Sequence, residues 1–219
     1  MAGGYRLGLV DEILARQGAR GLYTATLFDY QPEFFDRCDP AIELGRSFLN
    51  PRCQRSYSGL LLLWKGIGNL IAAVPRYRYI LGPVSISNLY SPLSRRLIQR
   101  FLDRNYPSPL AGLAAPRRPP QWSRQAMKLP SDLLAGVEDL DELSEMISDI
   151  EPSGWGLPIL IKQYTKLAAK AAGWNVDPAF GDALDCLMAA DLLEADPKYL
   201  ARYLGPEDAQ AYFRLHKEG

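Results

Sequence analysis

The amino-acid sequence predicts a single layered domain of the α/β or α+β class spanning residues 1–219. Strand-like and helix-like segments alternate along the chain, which is the pattern of a sheet covered by helices. The length is sufficient to enclose a substantial core. A content of 47% hydrophobic and 23% charged residues is an ordinary globular balance.

Four segments have the composition or alternation of β-strands. They are residues 5–10, 41–49, 77–87 and 183–192, while residues 21–28 fit either a strand or a loop. Gly45 indicates a bulge or a close backbone approach within its strand. Pro83 implies an edge, a bulge or a break in the strand that contains it.

Seven segments have helical patterns with recognisable end signals. They are residues 11–17, 60–74, 91–102, 139–149, 157–172, 196–205 and a last helix from Pro206. Asp11, Asp139 and Asp196 are placed to cap helix N-termini. Residues 157–172 give the clearest helical pattern, with Pro158 in the first turn and Gly173 just past the end.

Charge is balanced overall but uneven along the chain. Equal numbers of basic and acidic residues, 25 of each, argue against a generic nucleic-acid binder. Residues 95–128 hold eight basic residues and one acidic residue, and they overlap a Pro- and Arg-rich irregular excursion at residues 106–130. Residues 132–151 hold eight acidic residues and no basic ones. These blocks are either solvated faces or a basic docking surface for an acidic carrier protein or an anionic membrane.

Cysteine, histidine and hydropathy patterns exclude several kinds of site. Cys38, Cys53 and Cys186 form no CxxC pair, which fits a reducing, cytoplasmic compartment. With His216 as the single histidine, neither a Ser-His-Asp triad nor a multi-histidine metal site is available within one chain, and no metal is expected. The most apolar run, residues 60–74, is too short and interrupted to span a bilayer, so we expect a soluble chain or one peripheral to the inner face of a membrane.

The polar loop at residues 50–59 has features of an anion-binding site. The first turn of a helix carries unpaired N–H groups and partial positive charge. The candidate donor-binding residues in this loop are Gln54, Arg55, Ser56, Ser58 and Gly59. A cation, hydroxyl donors and an accessible glycine backbone suit a phosphate or phosphopantetheine, although many α/β loops share this composition.

The strand before this loop carries the candidate catalytic residues Glu43, Arg46 and Ser47. Acyl transfer to an amine must remove a proton from an ammonium and stabilise a tetrahedral oxyanion. Glu43 is the candidate base, directly or through water, and backbone N–H groups at a bulge near Gly45 would bind the oxyanion. The alternative is a structural ion pair on a partly exposed strand.

Three polar residues at the end of the next strand are candidate substrate-binding residues. Ser85, Ser87 and Asn88 would hydrogen bond to pantetheine amides or to the amine substrate if the two strands are neighbours. Ordinary turn chemistry is the alternative for all three.

Six short segments together carry a resemblance to a known family. They are residues 43–47 (ELGRS), 54–56 (QRS), 61–67 (LLLWKGI), 82–87 (GPVSIS), 157–164 (LPILIKQY) and 175–185 (NVDPAFGDALD). In combination they resemble the hemolysin-like acyltransferases. That family includes the ornithine-lipid N-acyltransferases, which are GNAT-like proteins related to acyl-homoserine-lactone synthases.

The resemblance implies a GNAT-like fold, with a mixed, mostly antiparallel sheet flanked by helices, and a chain that begins inside the domain. It implies transfer of a long-chain 3-hydroxyacyl group from acyl carrier protein, or from acyl-CoA, with no permanently bound cofactor. The acceptor would be the α-amine of an amino acid such as ornithine, or glycine in some relatives, and the product a lyso-aminolipid. Glu43 and Arg46 match the family's strand motif, and residues 55–59 match its donor-binding turn.

Two other functions remain open from the sequence. A noncatalytic acyl-binding module on the GNAT scaffold would fit the truncated start of the chain and the lack of a sharp catalytic signature. A short-chain acetyl-CoA N-acetyltransferase would need a short closed pocket. A fatty acyl donor would need a long groove lined by residues such as Leu61, Trp64 and Ile86.

Overall fold

The structure is a computed structural model that describes residues 3–52, 57–123, 130 and 133–217. Its strands, in chain order, are β1 (Gly3–Leu9), β2 (Phe28–Tyr30), β3 (Ala41–Leu49), β4 (Tyr79–Ile86), β5 (Ala114–Pro116), β6 (Lys170–Asp177) and β7 (Ala183–Asp191). Five of them form the central sheet in the order β1-β3-β4-β7-β6, and β2 and β5 form a separate small sheet.

Helices cover both faces of the central sheet. In chain order they are α1 (Val10–Gln17), α2 (Pro32–Cys38), α3 (Tyr57–Ala73), α4 (Pro92–Asn105), α5 (Leu140–Ile150), α6 (Ile159–Thr165), α7 (Pro197–Leu204) and α8 (Pro206–Lys217). Among the described residues, no helix combines the length and the apolar character that a membrane span needs.

The central sheet is mixed and mostly antiparallel, which confirms the predicted GNAT-like architecture. β3 and β4 are its one parallel pair, and in the described chain their pairing is confined to Ala41–Tyr79, Ile42–Ile80 and Glu43–Leu81. Beyond these positions β3 continues beside β1, while β4 continues beside β7. The two strands therefore separate into a wedge-shaped opening between residues 44–49 and residues 82–86, which we call the cleft.

Two residues at the closed end of the cleft explain why the strands separate there. A Cβ atom at Gly82 would lie 2.6 Å from the Leu44 carbonyl oxygen and 2.6 Å from the Tyr164 hydroxyl, so only glycine fits. Pro83 follows, and proline has no N–H to donate to a ladder. Since β3 has already diverged at this point, Pro83 lies on a local edge, one of the three arrangements that its position predicted.

The two faces of the sheet bury different apolar clusters. One face packs Ile42, Leu44 and Val84 against helices α3 to α8. The other face packs Leu81 and Leu187 against the N-terminal segments that include α1, α2 and β2. Burial on both faces explains why the central strands are apolar runs without simple alternation.

Several predicted elements agree closely with the structure. The strand at residues 183–192 is β7, and the helix predicted from residue 60 is α3, which starts slightly earlier at Tyr57. Two predicted caps are present: Asp139 accepts from the N–H groups of Asp141 and Glu142, and Asp196 accepts from that of Lys198. These signals are local, which is why the sequence displays them.

The helix predicted at residues 157–172 is wrong in its second half. Helix α6 ends at Thr165, whose hydroxyl donates to the Ile161 carbonyl oxygen at 3.0 Å. Ala168 then takes a left-handed conformation with φ 59°, and the chain reverses into the outer strand β6. Gly173, predicted to end the helix, lies in a bulge of β6. Because β6 is buried on both faces, its alanine-rich start has no strand-like alternation.

The N-terminal segment also departs from expectation. Asp11 does not cap α1, because Leu9 is the N-cap and Asp11 instead bonds to Arg76 and to the Tyr77 hydroxyl. Residues 21–28, left open between strand and loop, are mostly turns. Helix α2 and the small β2–β5 sheet were not predicted, since each is very short.

Two glycines in α3 provide a matched test of helix packing. A Cβ atom at Gly68 would collide with the Tyr203 backbone in α7, whereas one at Gly66 would meet nothing within 4 Å. We expect Gly68→Ala to lower the free energy of unfolding by about 1–3 kcal/mol because the helices must shift apart. Gly66→Ala should raise it by about 0.5–1 kcal/mol through helix propensity. Urea unfolding followed by circular dichroism measures both, and equal effects would contradict this packing.

Candidate active site

The strand β3 carries a bulge where it borders the cleft. Gly4 pairs with Phe48 and Arg6 pairs with Gly45, so Tyr5 alone in β1 lies opposite both Arg46 and Ser47 in β3. Arg46 has a left-handed backbone, with φ 49°, which is uncommon for a residue other than glycine. The bulge expected near Gly45 is therefore present.

The bulge changes which backbone groups of β3 are paired beside the cleft. The extra residue of a bulge is left out of the ladder. On its other side, this part of β3 has no β4 partner. The backbone of residues 46–47 therefore borders the cleft, and N–H groups are the kind of donor that suits a carbonyl oxygen that becomes negatively charged.

Tyr23 lies against the bulge on the face covered by the N-terminal segments. Its ring occupies the space beside Gly45, since a Cβ atom there would lie 3.0 Å from the ring carbon Cδ1. The guanidinium carbon of Arg46 is 5.7 Å from the centre of the same ring, within the range of a cation–π contact.

Glu43 fixes the turn that carries Tyr23. Its buried carboxylate accepts hydrogen bonds from the N–H groups of Tyr23 and Thr24, at 3.0 Å and 2.8 Å, and from the Thr24 hydroxyl at 2.7 Å. Both carboxylate oxygens are thus engaged. The sequence suggested Glu43 as the catalytic base. To act as a base, Glu43 would have to break some of these hydrogen bonds and form one to the substrate.

Ser47 lies on the opposite side of the bulge from Arg46. Its side chain is exposed and lies near Tyr5, where its interaction with the phenol lowers the pKa of Tyr5 against the larger raising effect of burial. On that face Trp64 packs edge-on against Tyr5 and Tyr164, with ring centres 6.4 Å and 5.2 Å apart. The bulge therefore lies between the aromatic rings of Tyr5 and Trp64 on one face and the Tyr23–Arg46 contact on the other.

The three residues predicted at the end of β4 do not act together. Ser85 lies beside the cleft on the same face as Tyr23, opposite Asp185 of β7. The hydroxyl of Ser87 accepts from the N–H of Leu89 at 3.2 Å, which is turn chemistry. Asn88 is exposed in the same turn.

Sequence reasoning missed a group of buried polar residues beside Ser85. Asp185 pairs with Ser85 on one side and with Asn175 of β6 on the other, and Asp177 ends β6 nearby. Asp185, Asn175 and Asp177 are all buried. Burial raises the pKa of Asp185 to about 6, and the negative charge of Asp177 adds to this while Ser85 opposes it. The apolar run around Asp185 gave no local sign of a site.

Most of the predicted donor loop falls outside the described residues. This applies to Gln54, Arg55 and Ser56 and to the side chain of Ser58. Gly59 is described and lies in the first turn of α3, so the helix begins within the segment predicted as a loop. That turn follows the open end of β3, as an anion site at a helix N-terminus requires.

The cleft, the bulge and the helix that follows them define a GNAT-like domain. The family model for the acetyltransferase (GNAT) domain matches residues 1–65, which include β1, β3 and the start of α3. The chain is also similar to a glycine N(alpha)-acyltransferase of Bacteroides thetaiotaomicron, with 26% identity over 208 residues. That match covers 90% of this chain and 61% of the length of the relative. No solved structure matches the chain.

The hydrogen bonds of Glu43 give a testable expectation for the site. Glu43→Gln should lower the free energy of unfolding by about 1–3 kcal/mol, because the amide NH2 would face N–H donors and leave one of them unpaired. Glu33→Gln is the control, since Glu33 forms an exposed pair with Arg37 and should change stability by less than about 0.5 kcal/mol. Thermal unfolding of both variants measures the difference. A stable Glu43→Gln protein would refute the anchoring role.

Proposed function

We propose that the chain is an N-acyltransferase that moves an acyl group from a thioester donor to the amine of an amino acid. The observation that carries this proposal is the cleft between β3 and β4 with a bulge on its margin. In the described chain, such a cleft has two strand margins that do not pair with each other. The extended amide arm of a phosphopantetheine donor can bind between those margins much as an added strand does.

The proposed donor position follows from the direction of the strands. Phosphates of the donor would lie at the first turn of α3, held by Gln54, Arg55, Ser56, Ser58 and Gly59. The thioester carbonyl would then lie near residues 46–47, whose N–H groups would stabilise the oxyanion. In this arrangement Glu43 positions Tyr23 and Thr24, and Ser47 borders the donor.

The proposed acceptor is the α-amine of an amino acid such as ornithine or glycine. Its support is the similarity to a glycine N(alpha)-acyltransferase and the resemblance of the sequence to ornithine-lipid N-acyltransferases. Ser85 borders the acceptor side of the cleft, and we place Ser87 and Asn88 at its rim. A long-chain 3-hydroxyacyl donor would give a lyso-aminolipid.

With a long-chain donor, the protein would bind an acyl carrier protein and contact a membrane surface. Three large apolar side chains, Phe48 in β3, Leu89 after β4 and Phe180 between β6 and β7, are 52%, 70% and 67% exposed. Exposed apolar side chains of this size support a peripheral membrane contact, which we place at the inner face of the membrane for a cytoplasmic protein. Of the basic block, Arg104 and Arg118 are exposed and suit an acidic acyl carrier protein.

Much of the remaining basic block is used within the chain. Arg95 donates to the Asp182 carbonyl oxygen, Arg100 to the Pro130 carbonyl oxygen, and Arg117 to the Asp29 carboxylate. Carrier docking would therefore depend on the exposed arginines more than on the total charge of residues 95–128.

The test is a product assay with matched donors. The protein is incubated with acetyl-CoA, palmitoyl-CoA and 3-hydroxypalmitoyl-ACP, each with a panel of amino acids, and N-acyl products are identified by mass spectrometry. We expect long-chain N-acyl glycine or N-acyl ornithine. Product from acetyl-CoA alone would indicate a short-chain acetyltransferase, and donor binding without product a noncatalytic module.

Two substitutions at Arg46 distinguish the contribution of the bulge to catalysis from that of the guanidinium group. Both Arg46→Gly and Arg46→Val remove the charge, but glycine accepts φ 49° freely while valine opposes it. We expect Arg46→Val to lower kcat by about 100-fold to 1,000-fold, the cost of losing an oxyanion donor. Arg46→Gly should lose substantially less. Equal kcat values for the two variants would contradict a role for the bulge.

A further inference from the structure

One strand beyond the β4 margin of the cleft, β7 carries a buried carboxyl group that the proposed function leaves without a role. Asp185 is 1% exposed and lies in the middle of the sheet, on the face where Tyr23 covers the bulge. Burial of a carboxylate is costly unless hydrogen bonds or an opposite charge compensate it. A buried carboxylate such as that of Asp185 is therefore expected to have a hydrogen-bond donor or a cation as its partner.

In the described part of the chain, the Oδ1 atom of Asp185 receives no hydrogen bond. The nearest cross-strand donor, Asn175, is turned to other partners. Its side-chain NH2 donates to the Val176 carbonyl oxygen at 2.9 Å, and its Oδ1 accepts from the Arg118 N–H at 2.8 Å. Among the described residues, Ser85 is the neighbour whose interaction favours the ionised carboxyl group. The Oδ1 atom is therefore a buried acceptor without a donor from the described chain.

The charges around Asp185 favour a cation in this position. Asp177 of β6 is also buried and adds negative charge, while the neighbouring side chains on β4 and β6, Ser85 and Asn175, are neutral. Across the cleft lie the phenol of Tyr23, the guanidinium of Arg46 and the fully hydrogen-bonded Glu43.

Tyr23 links the two sides of the cleft electrostatically. After burial, the largest influences on the pKa of Tyr23 are Asp185 and Asp177, which raise it, and Arg46, which lowers it. Interactions of this kind decay over a few ångströms to about 10 Å. The two carboxylates and the guanidinium are therefore near enough to Tyr23 to act on the same phenol.

We infer that Asp185 binds the ammonium group of the acceptor and removes its proton, an inference that rests on the proposed function. The carboxylate accepts one proton from the ammonium, and the resulting amine nitrogen bonds to the thioester carbonyl carbon. The C–S bond then breaks, and the departing thiolate takes a second proton from the nitrogen. The products are an amide and a free thiol, and Asp185 returns its proton to water.

The same geometry selects the class of acceptor. Asp185 and Asp177 supply negative charge on one side of the cleft, and the exposed guanidinium of Arg46 supplies positive charge on the other. A zwitterionic α-amino acid complements both sides, whereas a simple alkylamine would leave Arg46 without a partner. Binding of the protonated form also explains why a base is needed beside the cleft.

The test compares Asp185→Asn with Asp182→Asn, a matched change in the exposed hairpin between β6 and β7. We expect Asp185→Asn to lower kcat/KM for the amino acid by about 100-fold to 10,000-fold while the KM of the acyl donor stays unchanged. Asp182→Asn should behave as the original protein. Equal amino-acid kcat/KM in both variants would overturn the assignment.

A pH profile separates a base from a structural residue. In the original protein, kcat/KM for the amino acid should rise as the pH passes about 6, and Asp185→Asn should lack this rise. An enzyme that captures only free amine would show a single rise near the pKa of the amine itself. That profile in the original protein would overturn the proposal.

Stability measurements check that the variant folds. Because folding raises the pKa of Asp185, its ionisation destabilises the folded state as the pH rises through about 6. Asp185→Asn should therefore unfold at a higher temperature than the original protein at pH 8 and lose this advantage at pH 4.

A binding measurement keeps the proposal testable even if no amine is acylated. At pH 8, glycine or ornithine should raise the melting temperature of the original protein and of Asp182→Asn, but not that of Asp185→Asn. Absence of product with this pattern intact would reject the proposed catalysis and retain the ammonium site. An equal shift in Asp185→Asn would reject the site itself.

Discussion

The short parallel pairing between β3 and β4 is the constraint on which the rest of the structure depends. Three residue pairs hold the two strands together. The ladder ends where the Leu44 carbonyl oxygen lies close to Gly82 and where Pro83 has no N–H to donate. Everything proposed for the site lies on the two margins that this separation creates. A side chain at position 82 would alter the start of the cleft and thereby all that borders it.

Glu43 connects this constraint to the N-terminal half of the chain. It occupies the last paired position, opposite Leu81, and its carboxylate holds the turn at Tyr23 and Thr24. Tyr23 then covers Gly45 and contacts Arg46. One buried carboxylate thus sets the register between the N-terminal layer and the bulge. Asp185 differs from Glu43 in its hydrogen bonding: both carboxylate oxygens of Glu43 accept hydrogen bonds, whereas Oδ1 of Asp185 accepts none within the described chain.

The sequence was informative where the physical signal is local. The strand with Gly45 and the helix caps at Asp139 and Asp196 follow from the preferences of a few adjacent residues, and Pro83 limited its position to an edge, a bulge or a break. Strand β6 was missed because burial on both faces removes alternation and makes a strand resemble a helix. Asp185 was missed because its meaning depends on Ser85 and Asn175, which only the sheet register places beside it.

The separation of β3 and β4 also reverses the usual pattern of amide protection in a sheet. Central strands ordinarily hold the amides that exchange most slowly with solvent, because opening them requires global unfolding. Here, in the part of the chain that the structure describes, two margins in the middle of the sheet do not pair with each other, at residues 44–49 and 82–86. Their inward-facing amides should exchange early, and a bound molecule that fills the gap would slow them. Deuterium uptake along these two margins would thus report whether the cleft is occupied, without any knowledge of what occupies it.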